Sequence, residues 1–579
     1  MTARNSYRNF TLAIYCTNRD VKRMTDQNWL ESSFNEISKH VKIGKVYLEN
    51  FRESIIIDKD TMLKVKSFFE NKGIKTSGGM ATYLGENHRF KSWCYTRSET
   101  RETIKRVVRD LAEIFNEFII DDLFFENCKC EECIKAKGSK SWKEYRLELM
   151  EDISRNVIIK TAREVNPNIK IILKYPNFYE HFQFVGYNLE VQPKLFDMIY
   201  TGTETRDPDY TMQHLQEYQS YLIMRLLENT KPGGNGGGWV DPLGRRTLDR
   251  YAEQIRLTLF AKPKEITLFS YGALLEFIRQ SDGSYKPVST IAAVAGRVLD
   301  ETDLFLDKLG KPYGIPSYKP FNSSGEDFLH NYIGMIGIPL EITPVFPSEA
   351  DTVLLTECAK FDPNIVEKIK NFLIKGGTVI MTSGLLSALK EEVLRELVAV
   401  EYTDKKALVK EFTIFESWLI PSTHVYYSDT PILIPQLKYA TNDAWEFITA
   451  LDKGGGYPIL LQTKYANGTL YILTVPDNFN DLYRLSEEIL SYLRRLFMSN
   501  MKVYMEGPSR ICMFLYDNDS FILHSFLPNP ASCNIVVKGG GKLRELRFNF
   551  EPKGFDRDGE KVFNLKMWPY SYMVFKIEQ

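Results

Sequence analysis

The chain has 579 residues, 44% hydrophobic and 26% charged, with a formal net charge of -1. At roughly 100–200 residues per domain it is too long for one core. Near-neutrality gives no global field for nucleic acid or an anionic membrane, and no run of about 18 apolar residues marks a transmembrane helix. The opening MTARNSYRNF lacks the apolar core of a secretory signal. Three of the eight cysteines crowd into residues 128–133 and the rest are scattered, which is not a disulfide framework and predicts a cytoplasmic protein.

Over residues 1–305 strand-like and helix-like segments alternate. Strands are predicted at 9–16, 45–51, 74–80, 118–124, 170–175, 198–204, 236–241 and 265–271. Between them, apolar residues recur at three- and four-residue spacing over 29–41, 103–116, 142–164, 213–229 and 248–260, the period of amphipathic helices. Eight strand–helix units in this span predict a (β/α)8 TIM barrel. A doubly wound sheet is the alternative, but no glycine fingerprint follows the first strand.

The pattern changes near residue 306. Helices at 324–336 and 363–374, with strands at 340–345, 352–355 and 378–382, predict a three-layer α/β domain over 306–500. It includes a hairpin turning at Asn467-Gly468 and a helix over 484–497. Short alternating runs over 501–579 predict a small antiparallel β-sandwich domain.

A TIM barrel builds its active site at the C-terminal strand ends. The polar residues there are Glu49 and Asn50 after strand two, and Asp121 and Asp122 after strand four. Lys174, Tyr175 and Asn177 follow strand five, Glu204 and Arg206 strand six, and Trp239 and Asp241 strand seven. His181 and Arg245 join them as substrate-binding candidates. One carboxylate at a loop start is usually a helix cap; several on one face suggest acid–base chemistry. Glycoside hydrolysis needs a protonated and an ionised carboxyl group. Asp122 with Glu204 is the first choice of pair, and Asp241 is the second choice of partner. Adjacent strand residues point to opposite faces, so a continuing strand lets only one of Asp121 and Asp122 face the mouth, with Asp121 bonded to the scaffold. If the strand ends first and both turn inward, the pair resembles that of substrate-assisted hexosaminidases. Trp239 would be a sugar-stacking platform, and Gly236-Gly237-Gly238 would let backbone approach a ligand.

Cys128, Cys130 and Cys133 form a Cys-x-Cys-x-x-Cys cluster directly after the fourth strand. Thiolates so close can share one ion at about 2.3 Å in a tetrahedron. Cys94, in the loop after strand three, reaches the same rim and completes a structural four-cysteine zinc site. Four thiolates leave no open position for catalysis.

The run from Asp121 to Arg146, with Cys94, resembles the family-42 glycoside hydrolases, the clan-A β-galactosidases. The resemblance implies a structural zinc, a catalytic acid/base after strand four, an amidotransferase-like domain that builds a homotrimer, and a C-terminal β domain. That family has Asn-Glu where this chain has Asp121-Asp122. It has a nucleophilic Glu after strand seven where the nearest carboxylate here is Asp241. A divergent related glycosidase with a carbohydrate substrate is therefore expected. The strand at 352–355 runs into Thr356-Glu357-Cys358 without the nucleophile turn of an amidotransferase, so Cys358 is expected to be a buried thiol. The rival readings are a non-catalytic carbohydrate-binding barrel, and a lyase or transglycosidase on the same scaffold.

Overall fold

Eight strand-like segments in the first half of the chain become parallel strands, buried on one side by the barrel interior and on the other by helices. They are β1 (Thr11–Cys16), β2 (Lys45–Arg52), β3 (Lys75–Met80), β4 (Glu117–Ile120), β5 (Lys170–Tyr175), β6 (Met198–Gly202), β7 (Asn235–Val240) and β8 (Glu265–Phe269). The computed structural model describes residues 6–86, 89–209, 215–244, 247–281, 283, 285–389, 395–415 and 424–578. Its chain forms two compact units, Met1–Asp307 and Lys308–Gln579.

In the first unit the strand order is sequential, and β1 hydrogen-bonds to both β2 and β8. The sheet thus closes into the predicted TIM barrel. β4 stops at Ile120 and β6 at Gly202, each earlier than the sequence pattern suggests. Both ends are where the acidic residues begin. Among the described residues, no helix is long and apolar enough to cross a membrane.

The barrel interior is filled by large rings. Tyr15, Tyr47, Tyr200 and Trp239 pack with Ala13, Ile119, Ile172 and Phe269. Trp239 stacks on Phe269 with ring centres 5.6 Å apart. The phenols have partners: Tyr47 Oη donates to Glu265 Oε1 at 2.6 Å, and Tyr200 Oη meets Thr267 Oγ1 at 2.7 Å. Rings of this size need space, which β7 supplies. A Cβ on Gly237 would sit 2.2 Å from the Glu265 carbonyl oxygen and 2.6 Å from Tyr200 Oη. The glycine run is therefore a packing feature of the barrel wall, not the ligand approach expected from sequence.

The second unit holds a nine-stranded mixed sheet. Five parallel strands run in the order Leu340–Thr343, Ile315–Tyr318, Thr352–Leu355, Thr378–Thr382 and Gly468–Leu473. Antiparallel strands continue it, ending in the long pair Val400–Ile414 and Tyr426–Tyr439. That pair has no counterpart in the sequence reading, because register shifts at Tyr402/Lys406 and Val409/Glu411 break its alternation. Two further antiparallel sheets, of five and four strands, follow toward the C terminus. Arg494, in the helix Glu487–Phe497, ties these segments together. Its fully buried guanidinium donates to the carbonyls of Ile336, Gly507 and Pro508 at 2.6, 2.7 and 2.9 Å.

Gly237→Ala is expected to overpack the barrel and cost about 1–3 kcal/mol, read as a lower urea midpoint. An unchanged midpoint would remove the packing explanation for the glycine run.

Candidate active site and metal centre

The barrel mouth is organised by one ammonium group. Lys174, the penultimate residue of β5, points inward and is 2% exposed. Its Nζ lies 2.6 Å from Asp122 Oδ2, 3.0 Å from Glu204 Oε1 and 3.4 Å from Asp121 Oδ1. Trp239 lies beneath it, ring centre 4.4 Å from Nζ. Because β4 ends at Ile120, strand alternation no longer separates the two neighbouring acids, and both turn toward the lysine. A glycine precedes Glu204 for a steric reason: a Cβ on Gly202 would lie 2.6 Å from Glu204 Oε2.

Asp121 is further held by Arg52, whose Nη2 donates to its Oδ2 at 2.7 Å. Arg52 Nε contacts both oxygens of Glu49 at 2.9 Å. Glu49 also accepts from Tyr15 Oη and the Asn18 amide, each at 2.7 Å. On the other flank Arg206 donates to Asp241 at 2.8 and 3.3 Å, and the Leu243 amide adds a bond at 2.9 Å.

These environments separate the acids. Burial pushes the Asp122 carboxyl up to about 7, with the charges of Asp121 and Glu204 adding to it and Lys174 opposing. Glu204 is also raised by burial, against the pull of Lys174. For Asp121, burial is outweighed by Lys174 and Arg52, and its carboxyl falls below the usual range. Lys174 itself is raised, because the three carboxylates overcome burial. It is held as an ammonium ion, not as a free amine nucleophile.

Several candidates sit elsewhere than expected. Asn50 and Tyr175 are next to the inward Glu49 and Lys174, so alternation turns them outward. Asn50 Nδ2 bonds the Val107 carbonyl at 3.3 Å, and Tyr175 Oη meets Gln192 Oε1 at 3.4 Å. Trp239 is buried as the floor of the mouth, so it is not an exposed stacking platform. Asn177 braces the site, donating to the Glu204 carbonyl at 2.6 Å. His181 lies on the exposed side of a 3-10 turn with its ring beside Phe184. Arg245 lies outside the described residues. The sequence reading missed Arg52. A register shift between Glu49 and Phe51 returns Arg52 to the side of Glu49, and no residue pattern signals that bulge. It also missed Tyr187, whose hydroxyl donates to the Asp122 carbonyl.

Above β3 and β4, the four ligand atoms of Cys94, Cys128, Cys130 and Cys133 lie within 4.8 Å of one another. Cys94 Sγ is 3.7 Å from Cys130 Sγ and 3.4 Å from Cys133 Sγ, with 3.6 Å between the last two. A tetrahedron with about 2.3 Å metal–sulfur bonds has edges of about 3.8 Å, so these cysteines fit one tetrahedral ion. The buried Glu126 joins the two cysteine-bearing loops, accepting from Ser92 Oγ at 3.0 Å and the Tyr95 amide at 3.2 Å. Thr96 Oγ1 lies 3.1 Å from Cys133 Sγ and 2.6 Å from Tyr145 Oη.

Three family profiles match the chain. One described as "Probable glycosyl hydrolase, catalytic domain" matches residues 1–298. "Uncharacterized protein SSO3021, second domain" matches 310–478, and "Probable glycosyl hydrolase, C-terminal domain" matches 502–577. The chain is 26% identical over 506 residues to the uncharacterized protein SSO3021 of Saccharolobus solfataricus, covering 80% of this chain and 82% of that protein. Among solved structures it is similar to the GH42 β-galactosidase Gan42B from G. stearothermophilus, in a catalytic-mutant form (TM-score 0.65, 12% identity, 100% of both chains). It is likewise similar to the β-galactosidase from Bacillus circulans sp. alkalophilus (0.64, 11%, 99% of both chains). A third is α-L-fucosidase isoenzyme 2 from Paenibacillus thiaminolyticus (0.64, 11%, 99% of this chain and 100% of that one). At these identities the likeness is one of fold.

Arg52 separates two buried carboxylates, so Arg52→Met should cost about 3–5 kcal/mol by leaving them uncompensated. Adding Glu49→Gln should recover part of that loss in the same urea titration. A single variant as stable as wild type would show that the pair is not energetically coupled.

Proposed function

We propose, from the premise that this chain belongs to the "Probable glycosyl hydrolase, catalytic domain" family, that it hydrolyses a glycosidic bond at the barrel mouth. Asp122 is the proton donor and Glu204 the nucleophile. The observation that supports this pair is their shared contact with Lys174 Nζ, at 2.6 and 3.0 Å. Two oxygens so close to one nitrogen are at most about 6 Å apart, nearer the ~5–5.5 Å of retaining enzymes than the roughly 6.5–9.5 Å of inverting ones.

The steps follow from the charges. Glu204 attacks the anomeric carbon as the bond to the leaving oxygen breaks, and Asp122 gives that oxygen its proton. Esterification removes the charge of Glu204, one of the influences that raise Asp122. Asp122 thus becomes a weaker acid-holder when it must act as base. It then takes a proton from water, whose oxygen attacks the anomeric carbon and releases Glu204. Lys174 orients both carboxyl groups throughout. Asp241, held by Arg206, is the alternative partner.

A second reading is favoured by the inward turn of both Asp121 and Asp122. In it Asp121 polarises an acetamido group of the substrate and Asp122 protonates the leaving oxygen. Turnover confined to N-acetylhexosaminides, with Glu204→Gln still active, would select it.

The same reading assigns the four-cysteine centre a structural zinc ion, bound by Cys94, Cys128, Cys130 and Cys133 and pinning the loops beside the acids. It divides the chain into a catalytic barrel (1–305), an amidotransferase-like domain (306–500) and a C-terminal β domain (501–579), assembled as a homotrimer.

On a panel of aryl α- and β-glycosides, Asp122→Asn and Glu204→Gln should each lower kcat/KM by about 100-fold or more, with Asp241→Asn milder. No turnover by folded wild type would instead favour the non-catalytic sugar-binding barrel. The donor works only while protonated, so kcat/KM should fall as pH rises through about 7. Lys174 opposes that proton, so Lys174→Met should move the alkaline limb to higher pH; an unmoved limb would sink the assignment of Asp122. Elemental analysis should find one zinc per chain, absent from Cys130→Ser, whose loop should become open to protease.

A further inference from the structure

In the second unit, a cleft of about 400 Å³ opens between the first turn of the helix Glu487–Phe497 and the four-stranded sheet. A hydrogen bond from the Gly507 amide to Ser491 Oγ at 3.0 Å ties the helix to a strand end. The sheet wall is a row of polar side chains from three neighbouring strands. In register, Glu506 lies opposite Asn534, Asn534 opposite Asn564, and Ser532 opposite Lys566.

The row is braced before any ligand arrives. Asn564 Nδ2 donates to Asn534 Oδ1 at 3.0 Å, and Asn534 Nδ2 to Glu506 Oε2 at 3.2 Å. Arg557 fixes Glu506 from the far side at 2.6 and 3.0 Å. Such side chains lose little freedom on binding. Just past Met567, where the strand bearing Asn564 and Lys566 ends, stands Trp568, 59% exposed, with Lys566 Nζ 5.3 Å from its ring centre. An exposed tryptophan alone is unremarkable. A flat indole four residues along the chain from the fixed amides, hydroxyls and carboxylates of the cleft offers an extended glycan an apolar ring surface and directed hydrogen-bond partners.

We propose that this cleft and the strand end beside it form a second glycan-binding site for an extended glycan, with Trp568 stacking on one sugar ring and the Asn534–Asn564 pair, roughly 13 Å away along the strand, bonding the hydroxyls of another. Glu487 and Glu488 line the cleft beside Glu506, so the site takes neutral glycans and repels polyanionic ones. The site is built wholly from the second unit. It rests on the proposed glycosidase reading only for the class of its ligand.

Affinity electrophoresis of the full chain tests it, in gels containing soluble neutral polysaccharides (xyloglucan, galactomannan, mixed-linkage β-glucan) or alginate. The carrier is the Asp122→Asn/Glu204→Gln protein, so the gel is not digested. Retardation by at least one neutral polymer and not by alginate is expected, weakened at least fivefold by Trp568→Ala and by Asn564→Ala. In the otherwise wild-type chain these two variants should hydrolyse aryl glycosides like the parent. Absence of retardation on every neutral gel overturns the proposal. So does retardation that Trp568→Ala and Asn564→Ala leave intact, which would put the binding in the barrel. Retardation with the expected losses in a chain that turns over no glycoside would sink the catalytic reading and leave this site standing.

Discussion

An ammonium ion buried among carboxylates is the constraint on which the barrel mouth depends. Removing charges from water costs several kcal/mol per ion, and only close, well-directed partners offset it. Lys174 has three N–H donors and meets three carboxylates. Arg52 and Arg206 extend the pairing to Glu49 and Asp241. Five acids thus face three permanent cations. The imbalance is relieved where burial raises Glu49, Asp122 and Glu204, while Asp121, gripped by two cations, stays ionised. Neighbouring acids with proton affinities pushed apart are what acid–base chemistry at one site requires.

The floor of this mouth is set by packing. Tyr15 and Trp239 fill the barrel under the charges, and Tyr15 also bonds Glu49, so one ring serves the core and the polar network together. Rings of that size need glycines beside them: in β7, Gly236 and Gly237 leave room for Met198 and Tyr200, and Gly238 for Thr258. At the rim Glu126 ties the loops after β3 and β4, with the four cysteines gathered beside it. The acids at the end of β4 therefore stand between a packed floor and a rim whose loops Glu126 joins.

The second unit uses different devices. Arg494 serves backbone carbonyls instead of acids, and burial pulls its guanidinium down to about 10. Its polar cleft is framed by strand register instead of by strand ends. The two arrangements thus differ: buried charges compensate one another at the barrel mouth, whereas side-chain amides hydrogen-bonded in a row to one ion-paired carboxylate line the sheet.

The eight barrel strands and the cysteine centre were legible in the sequence. Buried parallel strands are mostly apolar runs, with β3 and β7 the glycine-containing exceptions, and thiolates that share an ion must be close in the chain or on adjacent loops. The strand ends also named Glu49, Asp121, Asp122, Lys174, Glu204 and Asp241, because polar residues that terminate an apolar run have few other places to go. Which of these side chains meet was decided only in three dimensions. The early end of β4 turned both Asp121 and Asp122 inward, and the shift in β2 brought Arg52 to Glu49. Alternation sent Asn50 and Tyr175 outward and buried Trp239. Composition and periodicity report how far a residue is hidden. A one-residue change in where a strand stops or slips reverses the direction of every side chain beyond it, and tertiary packing alone sets that residue.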